Sequence, residues 1–136
     1  MKALLDTNVV LDALAAREPF RKEAEQLFLL AAEERYAGYI TANSLTDIWY
    51  IASKHLPAEA VREALRHLMQ VFSVVDVRGM DCEAALDLPM DDFEDALVAV
   101  CASACEIDCI VTRDEVFLAA QSPVPALSPA AFLKRL

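Results

Sequence analysis

The chain has 136 residues, 57% of them hydrophobic, only two glycines, and a formal charge of −10 from 22 acidic against 12 basic side chains. That length and composition fit one folded unit over residues 1–136 with a full apolar core, and exclude a disordered or repeat protein. The acidity opposes any broad Lys/Arg surface for nucleic acid, so a polyanionic substrate would need a local positive element, which bound divalent cations would supply.

Apolar and polar residues then alternate in a strand–helix rhythm. Residues 2–5 read as a buried strand that ends on Asp6-Thr7-Asn8, turn and cap chemistry before a helix over 8–16. Pro19 opens a second helix to Glu34, on which Leu27, Phe28, Leu30 and Ala31 recur at helical spacing. A strand over 39–42 follows, then helices over 44–54 and 57–70, a strand over 71–77, and helices over 80–88 and 91–105. Cys109-Ile110-Val111-Thr112 forms a further buried strand, and Ser128-Pro129 starts a short last helix after the prolines at 123 and 125. Strands separated by helices predict an α/β fold, a three-layer α/β/α sandwich with a mainly parallel central sheet. No apolar run approaches a membrane span and the N-terminus has no secretory pattern, so a cytoplasmic protein with no membrane association is expected.

Cys82, Cys101, Cys105 and Cys109 form no Cys-x-x-Cys pair, and His55 and His67 have no second histidine at metal-binding spacing. Cys101 and Cys105, four apart on an Ala-rich helix, read as small buried residues facing the sheet, and the thiols as reduced core groups. No Ser/His/Asp or Cys/His pairing offers nucleophilic catalysis.

The acids are different. Asp6 ends the first strand, Asp47 follows the second, Asp95 lies on the helix before the Ile110 strand, and Asp114 follows that strand. In a parallel sheet all four can converge at the carboxyl edge, where ligands bind. Converging carboxylates are the oxygen donors that Mg²⁺ or Mn²⁺ takes, one or two per ion, with water and substrate completing the shell. Each acid also has a structural reading. Asp6 is a helix cap, Asp47 the acid of a capping box begun by Ser44, and Asp114 a turn residue. Asp91, Asp92 and Glu94 sit where negative charge suits a helix N-terminus. Asp95 lies one step past that turn and starts the apolar face of Ala96, Leu97, Ala99 and Val100, which aims it at the sheet edge.

In this order and spacing these segments resemble the PIN domains, and among them the small single-domain VapC toxins of toxin–antitoxin pairs. The resemblance spans nearly the whole chain: Leu4-Leu5-Asp6-Thr7-Asn8, Asp47 in Thr46-Asp47-Ile48-Trp49-Tyr50, Asp95 in Asp92-Phe93-Glu94-Asp95-Ala96-Leu97, Ile110-Val111-Thr112-Arg113-Asp114, and the Ser/Pro-rich tail. It implies a Mg²⁺- or Mn²⁺-dependent endoribonuclease acting on single-stranded or structured RNA. Asp6, Asp47, Asp95 and Asp114 would be its catalytic acids. Asp6, Asp47 and Asp95 would hold one ion, and Asp114 with Asp92 would contribute to a second, so that an activated water attacks the phosphodiester in line. Thr7, Asn8 and Thr112 would orient carboxylates or water, and Arg113 would meet a substrate phosphate. Arg17, Arg21 and Lys22 make either a small basic rim or a solvated helix face.

The resemblance also implies a small antitoxin that lays an Arg into the acids, and a homodimer using Trp49 and Tyr50 or the Leu65, Leu68 and Met69 stripe; both groups read equally as core. One departure stands out: Val116 occupies the place where many relatives carry a further acid. It favours the first alternative, a PIN-fold binding or assembly module without catalysis. The others are an aspartyl-phosphate phosphotransfer protein using Asp6 as nucleophile, and DNA cleavage by the same acids.

Overall fold

The computed structural model describes residues Met1–Leu136, and its central strand is the apolar run that begins the chain. In chain order the elements are β1 (Lys2–Leu5), α1 (Thr7–Leu14), α2 (Arg21–Ala32), β2 (Ala37–Thr41), α3 (Ala42–Ala52), α4 (Ala58–Val71), β3 (Ser73–Val75), α5 (Gly79–Leu86) and α6 (Phe93–Ala104). They continue with β4 (Cys109–Val111), α7 (Glu115–Ala119), β5 (Ala126–Leu127) and α8 (Pro129–Leu133). The strands form one sheet in the order β3-β2-β1-β4-β5, and every pairing is parallel.

Alternation along β1 sends Ala3 and Leu5 to one face and Leu4 to the other. Ala3 and Leu5 join a core built with Val9, Val10, Leu27, Ile48, Leu68 and Phe132 from α1, α2, α3, α4 and α8. Leu4 joins Ile110 and the α5, α6 and α7 residues Ala85, Leu97, Val98 and Phe117. Both faces are covered, which produces the three layers and leaves the strand ends as the open edge. No helix is long and apolar enough to cross a membrane.

Several boundaries differ from expectation. α2 starts at Arg21 rather than Pro19, because Pro19 and Phe20 form a turn and helical bonding begins with the Ala24 amide on the Phe20 carbonyl, 3.2 Å. α3 starts at Ala42, directly after β2, so Ser44 is inside the helix and heads no capping box. Residues 71 and 72 finish α4 and its cap instead of opening β3. α7 and β5 have no counterpart in the expected pattern: Asp114 caps a helix where a turn was expected, and β5 is a two-residue strand beside Pro125. Cys101 and Cys109 are buried thiols as expected, but Cys105 is exposed at the end of α6. Burial pushes the Cys101 and Cys109 thiols up to about 11, which keeps them protonated and unreactive.

Scarcity of glycine leaves two marks on the backbone. Helices α1, α2 and α6 end with Ala16, Glu34 and Glu106 in the left-handed region, at φ 51°, 57° and 52°. In each, the next amide returns to the third-last helical carbonyl, for example Arg35 to Leu30 at 2.9 Å. Glycine usually fills that position because other residues carry a Cβ penalty there. Glu34→Gly is therefore expected to stabilise the protein by about 0.5–1 kcal/mol, read as a higher denaturation midpoint. The second mark is Gly38 in β2, where an added Cβ would stand 2.5 and 2.7 Å from two ring carbons of buried Phe72. Phe72 is itself braced edge-on by Phe28, ring centroids 4.9 Å apart, so the ring has little room to yield. Gly38→Ala should cost about 1–3 kcal/mol through overpacking, seen as a lower midpoint with unchanged denaturant slope.

Candidate active site

The strand order reverses between β1 and β4, and the acids gather at that point. Asp6 follows β1, and its amide bonds the Val111 carbonyl at 2.9 Å, which ties it to the end of β4. Its carboxylate is almost buried and well furnished with donors. Oδ1 accepts the Thr7 amide at 2.9 Å, and Oδ2 accepts the Thr112 hydroxyl at 2.8 Å and the Asn8 amide at 3.1 Å. Thr112 Oγ1 also accepts the Asp114 amide at 3.1 Å, so one buried hydroxyl orients both the strand-end acid and the backbone of the next. Asp6 thus does both jobs offered by the sequence: it caps α1 and faces the cleft.

Around it opens a cleft of about 420 Å³ lined by Asp6, Asp47, Asp92, Glu94, Asp95 and Asp114, with Thr7, Asn8, Leu11, Arg17, Tyr50 and Ile51. Asp47 reaches it because Ser44, freed from capping, bonds Thr41 at 3.0 Å and Thr7 at 2.8 Å, fastening α3 to α1. Asp92 caps α6 through the Asp95 amide at 3.0 Å and also lines the cleft. Asp114 caps α7 through the Val116 and Phe117 amides and lines it from the β4 side. Capping and function coexist here because a carboxylate has several lone pairs and a cap uses only one or two.

Carboxylates crowded into one cleft repel one another, and the raised proton affinities of Asp95, Glu94 and Asp6 record it. Asp95 is pushed up to about 7, first by burial and then by the charges of Asp92, Asp6, Asp114 and Glu94. Glu94 is also pushed up to about 7, by desolvation and by a hydrogen bond with the Asp47 carboxyl. Asp6 is raised by burial against the lowering effect of its Thr112 and Thr7 donors. Such upward shifts are the signature of groups that await a compensating cation or proton.

The donor set fits a hard divalent ion: oxygen only, with no thiol or imidazole among the lining residues. No three acidic side chains are gathered into a ready cage. That suits ions held by one or two carboxylates and completed by water and substrate better than a closed all-protein site.

Two residues that the sequence did not place at the site belong to this region. Glu94, read there as helix-end charge, faces Asp47 in the cleft; its signal was its place directly before Asp95 on the same helix. Asp12 is 1% exposed and receives Arg113 through two bonds, Nε to Oδ2 at 2.6 Å and Nη2 to Oδ1 at 3.1 Å. Arg113 also lies over the Phe20 ring, 4.1 Å from its centroid. Arg113, expected from the sequence to meet substrate phosphate, spends its Nε and Nη2 donors on Asp12. Arg21 pairs with Glu25 at 2.7 Å in a solvated helix-face pair, whereas Arg17 lines the cleft. Val116 is 67% exposed and is not among the cleft residues, so the acid absent there leaves the six carboxylates intact.

The fold and site together define a parallel α/β protein with an open, acid-lined cleft at its switch point. A PIN domain family model matches residues 2–115, and the chain belongs to the PIN-domain family. No curated protein sequence matches it. Among solved structures it is similar to the Rickettsia felis VapBC2 complex bound to a promoter DNA fragment, with TM-score 0.69 and 19% identity, covering 94% of this chain and 98% of that one. It is similar to Mycobacterium tuberculosis VapC20, a sarcin-ricin loop cleaving toxin, with TM-score 0.68 and 19% identity over 88% of this chain and 95% of that one. Neisseria gonorrhoeae FitAcB gives TM-score 0.67 and 19% identity over 94% and 98%. At these identities the likeness is one of fold.

Proposed function

We propose that the protein is a divalent-metal-dependent endoribonuclease that hydrolyses RNA phosphodiester bonds, and that it serves as the toxin of a toxin–antitoxin pair. The observation that carries this reading is the convergence of Asp6, Asp47, Asp92, Glu94, Asp95 and Asp114 on one cleft in a PIN fold, with Asp95 and Glu94 raised to about 7. A bound Mg²⁺ or Mn²⁺ supplies Lewis-acid stabilisation of phosphoryl charge and acidification of water. Asp6, Asp47 and Asp95 would serve one ion, one or two of them directly and the rest through water, and Asp114 with Asp92 a second. Thr112 and Asn8 hold the Asp6 carboxylate in one orientation, and Glu94, its carboxyl raised beside Asp47, gives up its proton more readily once positive charge enters the cleft. No lysine lines the cleft, which removes the partner that an aspartyl-phosphate mechanism on Asp6 would use.

The VapBC and FitAcB neighbours support an antitoxin as partner. Beside the acids, and sharing Leu11, Arg17 and Ile51 with them, runs an apolar groove of about 560 Å³ between α1, α3 and α4, where an antitoxin segment bearing an Arg for the acids would lie. For the homodimer, Leu68 is buried in the core, which leaves Leu65 and exposed Met69 from that stripe.

Cleavage of labelled single-stranded RNA by purified protein with Mn²⁺, alongside EDTA and an Asp6→Asn plus Asp95→Asn variant, tests the activity. Cutting that needs the ion and is lost in the variant supports it. No cutting by the parent protein turns the reading to a noncatalytic binding module. Thr112→Val, which removes the Asp6 donor while keeping shape, should lower activity by about 10- to 100-fold with the thermal midpoint within a few degrees of the parent.

A further inference from the structure

Resting on the nuclease reading, we propose that Arg17 and Tyr50 form the nucleotide-binding wall of the cleft. Arg17 takes a backbone phosphate, and Tyr50 stacks on an unpaired base. The argument starts from the charge problem: six carboxylates repel RNA, and Arg17 is the single cation among the lining residues. Asp12 takes its close bonds from Arg113, at 2.6 Å for the shorter, whereas Arg17 stands 4.0 Å from the same carboxylate, beyond hydrogen-bond distance. Of the two guanidiniums that share this carboxylate, Arg17, 37% exposed and lining the cleft, is the one within reach of a substrate phosphate.

Tyr50 is the single aromatic lining the cleft and is 67% exposed, a high exposure for a large ring. It lies three residues after Asp47 on α3, on the same helix face as the acid. The Lys54 ammonium, one turn further on, stands over one face of the ring at 4.4 Å from its centroid, so a base would stack on the opposite face or take the place of the ammonium. An exposed ring flanked by a cation, next to hydrolytic acids, is the combination that receives splayed single-stranded bases. Phe20 does not compete, because it is not among the residues that line the cleft. The substrate class that follows is unpaired RNA, a loop or single strand, rather than a stacked duplex.

The test is binding of a short fluorescein-labelled single-stranded RNA and its duplex, by anisotropy in Ca²⁺ across a salt series, with Mn²⁺ cleavage measured in parallel. Tyr50→Ala should weaken single-strand binding by roughly tenfold or more, Tyr50→Phe should bind like the parent, and Arg17→Gln should lower the salt slope by about one. Unchanged binding by Tyr50→Ala, an unchanged slope for Arg17→Gln, or equal affinity for duplex would overturn the proposal. Binding that follows these variants without Mn²⁺ cleavage would uphold the wall and reject the nuclease; cleavage indifferent to both variants would do the reverse. A parent that binds no RNA overturns both.

Discussion

Asp95→Asn is expected to yield a protein that is more stable than the parent without metal at pH 8 and inactive as a nuclease. In the folded chain the Asp95 carboxyl is raised to about 7 by burial and by neighbouring acids, against an ordinary value of 3.8. Below about pH 4 both states are protonated and the group has no effect. Between about pH 4 and 7 the unfolded chain gives up the proton first, so stability falls as pH rises, and above 7 the whole penalty is present. Asparagine has no such penalty and should add on the order of 1–2 kcal/mol at pH 8 after allowance for solvent screening. Cleavage should fall by about two to three orders of magnitude or more, since one of the carboxylates proposed to hold the ion is gone. Urea unfolding at pH 5 and pH 8 checks the sign: the parent should lose stability between them and the variant should lose less. Millimolar Mn²⁺ should raise the parent's thermal midpoint and leave the variant's nearly unmoved.

Arg113→Met should produce the largest loss of stability of any surface-reaching side chain. Removing the guanidinium strands Asp12, 1% exposed, without its two bonds in the space beneath α1. Breaking a fully buried pair from one side costs about 3–5 kcal/mol; with Arg113 30% exposed the loss here should be about 2–3 kcal/mol, and the distant Arg17 contact at 4.0 Å should recover only a small part. Adding Asp12→Leu to the same chain should restore most of the stability, because both charges are then absent. Chemical denaturation of the two single variants and the double variant measures this coupling. A loss below about 1 kcal/mol for Arg113→Met would show the pair to be ordinary surface electrostatics.

The fold was legible in its strong local patterns. Leu4-Leu5 and Ile110-Val111 are apolar runs with turn chemistry after them, and a parallel sheet buried on both faces needs such runs. Asp6, Asp47, Asp95 and Asp114 were legible because each falls at a strand end or on the helix beside one. What was not legible depends on distant partners. Arg113 and Asp12 are 101 residues apart, and nothing near either residue shows the other. Asp12 did leave a local hint, an acid three residues after Val9 on the buried face of α1, which requires a cation from elsewhere in the chain. Glu94 looked like dipole charge until α3 brought Asp47 against it. Ser44 matched a capping box in sequence, yet β2 runs into α3 without a loop and turns that serine into a buried link between helices. β5, only Ala126–Leu127, is defined by its pairing with β4 rather than by its own composition.

Calorimetric titration of Mn²⁺ into the metal-free protein near pH 6.5, repeated in two buffers of different ionisation enthalpy, tests the central claim that the acid cleft is a divalent-ion site. Saturable binding with net proton release is expected, because Asp95 and Glu94 are raised to about 7 in the ion-free protein and must shed protons as the ion enters; the Asp95→Asn protein should bind far more weakly. No saturable binding, or binding that releases no protons and survives in Asp95→Asn, would contradict the account.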